Sequence, residues 1–177
     1  MNEIWLVVGM ILSSGFFIVL VAGIISIFAV VVFMGAPYLP AHKKAIGDAL
    51  SLIKLSKDGR ILDLGCGDGK FLLAAAKKGY KVTGYEINIV LFLICKLRLW
   101  RYKNAEVKLK NFWRVDFPED TEVVYVFLLD RFMVKLDEKL KSESKRLDKD
   151  LTLISYVFKI PNKKQVKEVG GVRLYRY

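Results

Sequence analysis

The stretch Asp63-Leu64-Gly65-Cys66-Gly67-Asp68-Gly69 limits what this chain can fold into more than any other segment. It follows the short apolar run Ile61-Leu62 and leads into a helical pattern from about Lys70. A second strand pattern, Lys81-Val82-Thr83-Gly84-Tyr85, then ends on Glu86. A strand, a glycine loop, a helix and a strand closing on a carboxylate make up half of a Rossmann-type nucleoside site. The glycines let the backbone approach a ligand, and the terminal carboxylate accepts from ribose hydroxyls.

The spacing is Gly-x-Gly-x-Gly with Lys70 next, so the Gly-x-Gly-x-x-Gly of a dinucleotide fingerprint does not fit in register. Asp63 and Asp68 flank the turn with negative charge, which repels a pyrophosphate and suits a ligand carrying an amine and a sulfonium. S-adenosylmethionine is such a ligand. Its carboxylate suits the backbone N–H groups at the N-terminus of the following helix, and its ribose suits Glu86. The alternative is a glycine-rich turn in which both aspartates only make turn hydrogen bonds. The agreement between the turn and the distal Glu86 favours the ligand.

The chain has 177 residues, 54% of them hydrophobic, and a mean hydropathy of +0.32, which is too apolar for an ordinary soluble domain of this size. The excess lies at the front: no residue from Ile4 to Met34 is charged, and only Ser13, Ser14 and Ser26 carry a hydroxyl. A spanning helix needs roughly 20 apolar residues, so one N-terminal transmembrane helix is expected. A cleaved signal peptide would want positive charge before a shorter apolar core, whereas here the leading charge is Glu3. Lys43 and Lys44 follow closely, and basic residues stay on the cytoplasmic side. The expected arrangement is therefore a single-pass membrane protein whose catalytic domain faces the cytoplasm. The net charge of +11 falls after the anchor, and beside a bilayer its default partner is anionic lipid. Two cysteines and one histidine without ligand spacing point to no metal site, and both cysteines read as reduced and structural.

Three regions follow: an anchor over 1–36, a connector with a membrane-proximal helix over 37–59, and a cofactor-binding domain over 60–177. The prolines of Ala36-Pro37-Tyr38-Leu39-Pro40 enforce an extended link, and helical spacing spans 41–56. Beyond Arg60 strands are expected at 61–64, 81–86, 106–110, 122–129, 151–158, 164–168 and 172–177. Helices are expected at 69–78, 88–102 and 131–145. Alternation of this kind argues an α/β fold with a mostly parallel sheet, closed by an antiparallel hairpin turning at Gly170-Gly171. Little chain remains before that hairpin for a further helix, so part of one sheet face needs another cover. The helix over 41–56 is the candidate. The helix over 88–102 opens with consecutive apolar residues from Ile89 to Cys95. It is either buried on most sides, or its outer face touches a membrane with Lys96, Arg98, Arg101 and Lys103 reaching lipid phosphates.

On the Asp63 loop the chain resembles the class I S-adenosylmethionine-dependent methyltransferases, whose Rossmann-like sheet it would share. The N-terminal apolar run, Pro37-Tyr38-Leu39-Pro40, Gly84-Tyr85-Glu86-Ile87-Asn88, Leu97-Arg98-Leu99-Trp100-Arg101 and Asn111-Phe112-Trp113 narrow this further. With these it resembles the small membrane-anchored protein lysine methyltransferases that modify the adenine nucleotide translocase and the c-ring protein of ATP synthase, and their prokaryotic relatives. The resemblance implies a lysine acceptor on a membrane protein. It places Asp63, Gly65 and Gly67 at the methionine end of the cofactor and Glu86 at the ribose. Asn111 stands where the family's acidic partner of the adenine amino group is expected, and Cys66, Gly69, Asn88 and Phe112 complete the cofactor-binding set.

Methyl transfer to an amine depends on alignment, on excluding water and on removing the acceptor's proton. Asp130 and Tyr156 are the candidate catalytic residues, with Asp130 alternatively a helix N-cap and Tyr156 a strand aromatic. Trp113 either packs in the core or lines an acceptor channel. The absence of an Asn-Pro-Pro-Tyr or Asp-Pro-Pro-Tyr tetrapeptide counts against a nucleic-acid amino acceptor. RNA methylation finds no aromatic-rich appendage to support it. Two rivals remain: a lipid N-methyltransferase, and a non-catalytic membrane module that binds the cofactor.

Overall fold

A computed structural model describes residues 14–23 and 42–177. The chain divides into two compact units, Met1–Pro37 and Tyr38–Tyr177. In the first unit residues 14–23 are helical (α1) with exposed side chains. Among the described residues no helix is long and apolar enough to cross a membrane, and most of the run from Ile4 to Met34 lies outside them.

The second unit orders its elements as α2 (Lys43–Leu52), β1 (Arg60–Leu64), α3 (Lys70–Lys77), β2 (Lys81–Glu86), α4 (Ile89–Leu99), β3 (Ala105–Leu109) and β4 (Thr121–Val126), then α5 (Met133–Leu147), β5 (Thr152–Tyr156), β6 (Lys167–Val169) and β7 (Val172–Arg176). One seven-stranded sheet runs β3-β2-β1-β4-β5-β7-β6. Strands β1 to β5 pair in parallel, and β7 is antiparallel to both β5 and β6. Strand order reverses at β1, which pairs β2 on one side and β4 on the other. In open α/β sheets the crevice beyond such a switch point is where ligands bind.

Alternation along the strands sends residues to two cores. Ile61, Val82, Val123, Tyr125, Ile154, Val172 and Leu174 face the layer of α2, α3 and α4. Leu62, Leu64, Val124, Val126 and Leu153 face α5, whose Met133, Leu136 and Leu140 are fully buried. Each such side chain taken out of water contributes roughly 1.5–3 kcal/mol before entropy is counted. Helix α2 buries Ala45, Ile46, Ala49, Leu50 and Leu52 against β5, β6 and β7, so the membrane-proximal helix covers the face that the short C-terminal segment leaves open.

Three expectations shift. The strand expected over 122–129 ends at Val126, and the helix expected from 131 begins as a 3-10 turn over Asp130–Phe132 and continues to Leu147. The strand expected over 151–158 stops at Tyr156. The larger change concerns α4, in which only Cys95 and Leu99 are buried. It packs on β2 and β3 at the sheet edge, so a single stripe meets the core and burial on most sides does not occur.

At the amino ends of the strands, Arg60 binds Asp120 through Nε at 2.7 Å and Nη2 at 3.1 Å, and Lys81 joins the same carboxylate. Partial burial opposes ionisation of Asp120, but the bonds from Arg60 and Lys81 outweigh it and lower its pKa to about 2.

Candidate active site

The glycine loop closes over the end of β2. The N–H groups of Gly65 and Cys66 donate to the Tyr85 carbonyl at 2.9 and 3.0 Å, and Gly69 N–H donates to the Cys66 carbonyl at 3.0 Å. Gly69 has φ 78°, a left-handed conformation that favours glycine, and a Cβ there would lie 2.4 Å from Cys95 Sγ. Gly84 faces the loop from β2, where a Cβ would meet Leu72 Cδ1 at 2.5 Å and Cys66 Sγ at 2.6 Å. The loop and α3 therefore pack directly on strand backbone.

Glu86, 7% exposed, turns its carboxylate back on this loop. Oε2 accepts from Gly67 N–H at 2.8 Å, while Oε1 accepts from Ile87 N–H at 2.9 Å and Asn88 N–H at 2.8 Å. A carboxylate has about four acceptor sites, so Oε2 retains capacity for a ligand hydroxyl.

Asp63 is buried between Gly84 on β2 and Tyr125 on β4. Burial first, and the Glu86 charge second, push its carboxyl well above the usual range. The Tyr125 ring stacks on Phe71 with centroids 3.7 Å apart, and its buried hydroxyl has no hydrogen-bond partner among the described residues. An acidic side chain and a hydroxyl thus sit side by side without compensation at the carboxyl ends of β1 and β4. A ligand bringing positive charge and hydrogen-bond donors completes them, which is the chemistry of the ammonium end of S-adenosylmethionine. The site fits that cofactor.

Asp68 departs from the expectation that it adds negative charge for the ligand. Its carboxylate is paired with Arg98 at 2.7 Å and Lys70 at 3.1 Å, and Arg98 also donates to the Asp68 carbonyl at 2.6 Å. The attractive field comes from Asp63 and Glu86. The same contacts draw Arg98 inward, away from the role of reaching lipid.

The remaining candidates separate by environment. Cys66 is buried with its Sγ 4.0 Å from that of Cys95, and both thiols are free. The hydrogen bond with Cys95 and then burial raise the Cys66 pKa. Asn88 Oδ1 caps α4, accepting from Val90 and Leu91 N–H at 2.9 and 3.2 Å. Asn111 Oδ1 accepts from Trp113 N–H at 3.0 Å at the end of β3. Phe112 and Trp113 pack together with centroids 4.5 Å apart, both against the core on the α5 side.

On the acceptor side, Tyr156 ends β5 and its ring packs on Phe127 with centroids 4.7 Å apart. Asp130 lies exposed beyond the end of β4. The N-cap alternative for Asp130 is not realised, because neither the 3-10 turn nor α5 receives a side-chain cap. Sequence reading missed Tyr125 and Arg98. A tyrosine two residues after Val123 in an otherwise aliphatic strand was the available signal for the first. Nothing local marks the second.

Residues 63–167 match the family profile described as the ANTKMT methyltransferase domain. The human lysine N-methyltransferase named for the c-ring protein of ATP synthase is 33% identical over 129 residues, covering 71% of this chain and 53% of that protein. The chain thus aligns with about half the length of that relative. A protein-lysine N-methyltransferase of Saccharolobus islandicus is 34% identical over 140 residues, covering 75% of this chain and 84% of its own. Among solved structures, an RNA methyltransferase of Salinibacter ruber in complex with S-adenosyl-L-homocysteine superposes with a TM-score of 0.67. It does so at 21% identity over 78% of this chain and 92% of that one, a likeness of fold.

Proposed function

From the premise that the chain belongs to the ANTKMT methyltransferase-domain family, we propose that it is a protein-lysine N-methyltransferase, anchored in a bilayer by residues 4–34 and acting on a membrane protein. S-adenosylmethionine supplies, when bound, a methyl group on a sulfonium. The observation that carries the reading is the buried, uncompensated Asp63 beside Glu86 at the mouth of the glycine loop. Asp63 holds the ammonium end, Glu86 holds the ribose while bracing Gly67, and Asn111 and Phe112 stand beside the adenine.

The acceptor amine enters past the carboxyl ends of β4 and β5. It must arrive neutral, so a proton passes from its ammonium to a nearby acceptor, for which Asp130 Oδ and the Tyr156 hydroxyl are the candidates. Phe127 and Tyr156 offer an apolar wall that excludes water from the transfer.

The lysine acceptor is supported by relatives named for that activity, one of them matched over most of its length. Anchoring is supported by the uncharged run from Ile4 to Met34 followed by Lys43 and Lys44, which orients the second unit to the cytoplasm. A tether raises the effective concentration of acceptors in the same bilayer. Incubating membranes with methyl-labelled cofactor tests the whole reading. Label in a protein band, mapped to lysine by mass spectrometry and absent without this protein, is expected. Label confined to the lipid extract transfers the activity to lipid amines, and cofactor binding without label in either fraction removes the enzyme.

A further inference from the structure

We propose that the helical layer of α2, α3 and α4 is laid on an anionic bilayer surface, with the outer stripe of α4 inserted at headgroup level. Val90, Leu93, Leu97 and Trp100 recur at intervals of three and four on the side opposite buried Cys95 and Leu99. All are exposed, Leu97 to 74% and Trp100 to 70%, and Ile87, Ile89 and Ile94 widen the stripe. Soluble surfaces rarely carry so continuous an apolar patch unless it meets something.

Charge identifies the occupant. No acidic residue occurs from Ile87 to Ala105, while Lys96, Arg101 and Lys103 rim the stripe and are exposed. The Arg101 guanidinium lies 4.6 Å from the Trp100 ring centroid and Lys96 Nζ 5.9 Å from that of Phe92. Cations lying over aromatic rings beside an aliphatic stripe match the boundary between acyl chains and phosphates. The same layer holds a groove of about 810 Å³ between α2 and α3, floored by Ile46, Leu50 and Leu73 and rimmed by His42, Lys43 and Lys77. It repeats the pairing of apolar floor with cationic edge. Each basic residue near an anionic leaflet contributes on the order of 1 kcal/mol of attraction.

Docking of this face does not require the acceptor to be lysine. It has one geometric consequence for the site: α4 starts at Asn88, whose N–H binds Glu86, and Arg98 binds the loop at Asp68. A docked α4 brings the cofactor loop to the membrane surface, where an acceptor embedded in that membrane presents its amine.

The test uses the full chain on vesicles, with an environment-sensitive fluorophore on Leu97→Cys or, as the opposite-face control, on Val134→Cys of α5. The native Cys66 and Cys95 are buried. On vesicles of phosphatidylcholine with phosphatidylglycerol, the label at 97 is expected to be quenched by nitroxide lipids and shielded from aqueous iodide, with the reverse at 134. A label at 97 open to iodide on vesicle-bound protein overturns the proposal even if anchoring by residues 4–34 holds. Equal quenching on pure phosphatidylcholine overturns the anionic preference. Shielding that arises only when a membrane-protein acceptor is added gives the face to that protein instead. Because the readout is optical, loss of the enzymatic reading leaves this result standing, and the converse.

Discussion

The Glu86 carboxylate takes the N–H of Gly67 at 2.8 Å, so the side chain placed to hold the ribose also holds the glycine loop in shape. Ligand binding and loop conformation are joined in one buried group.

Glu86→Ala leaves three backbone N–H groups without their acceptor, at a cost of about 1–3 kcal/mol for each buried donor left unpaired. Cofactor affinity is expected to fall by about tenfold or more, the equivalent of one charge-assisted hydrogen bond. Thermal unfolding should also move to lower temperature. Calorimetric titration with the cofactor and a melting curve check both, and unchanged affinity removes the ribose assignment.

Asp63 makes stability and binding oppose one another. Its folded pKa is raised by burial and by Glu86, so the folded state holds the proton more tightly than the unfolded chain, whose Asp titrates near 3.9. Stability of the cofactor-free protein is therefore expected to decline as pH rises from about 4 through the raised folded value. Asp63→Asn should abolish that slope and stabilise the free protein at neutral pH while weakening cofactor binding. Cofactor binding to the native chain should release a proton. Urea unfolding across pH, and calorimetry in two buffers of different ionisation enthalpy, measure these effects.

Gly84→Ala introduces a methyl 2.5 Å from Leu72 Cδ1 and 2.6 Å from Cys66 Sγ. Overpacking of this kind costs about 1–3 kcal/mol. Because Cys66 belongs to the loop, cofactor affinity should fall together with the denaturation midpoint. A variant as stable as the native chain would show that α3 and the loop can slide, contrary to the packing described.

Asp130→Asn and Tyr156→Phe separate the two candidates for the acceptor's proton. The group that takes it should, on substitution, lower kcat by about 10²–10⁴-fold, the usual contribution of general acid–base catalysis. Cofactor affinity should stay unchanged, and the loss of rate should diminish at high pH as the amine deprotonates unaided. Asp130 forms no cap, so its replacement is expected to leave stability within about 0.5 kcal/mol. Rate profiles against pH for both variants decide between them.

The cofactor site was legible because most of its determinants are short-range. Gly65, Gly67 and Gly69 advertise left-handed backbone, and the distance to Glu86 is set by one strand–helix–strand unit. Asp68 reads in the sequence as part of the ligand's field, since its partner Arg98 stands 30 residues away and comes alongside only when α4 packs beside α3. Tyr125 passes for an ordinary strand residue, because its neighbours Asp63 and Phe71 belong to other elements. Strand β4 is shorter than its sequence suggests for a related reason: Phe127, Leu128 and Leu129 are apolar enough for a strand but lie beyond the ladder.

The amino-acid sequence alone determined the alternating α/β order, the parallel sheet with its closing hairpin, and the loop with its distal carboxylate. Periodicity and glycine placement act within a few residues and survive any rearrangement at longer range. The tertiary structure decided which apolar faces are covered. Helix α2 and the exposed stripe of α4 show comparable apolar residues in sequence, yet α2 is buried over β5 to β7 while α4 lies at the sheet edge with its outer face in solvent. Burial and charge pairing depend on which elements become neighbours, and that is settled by strand order.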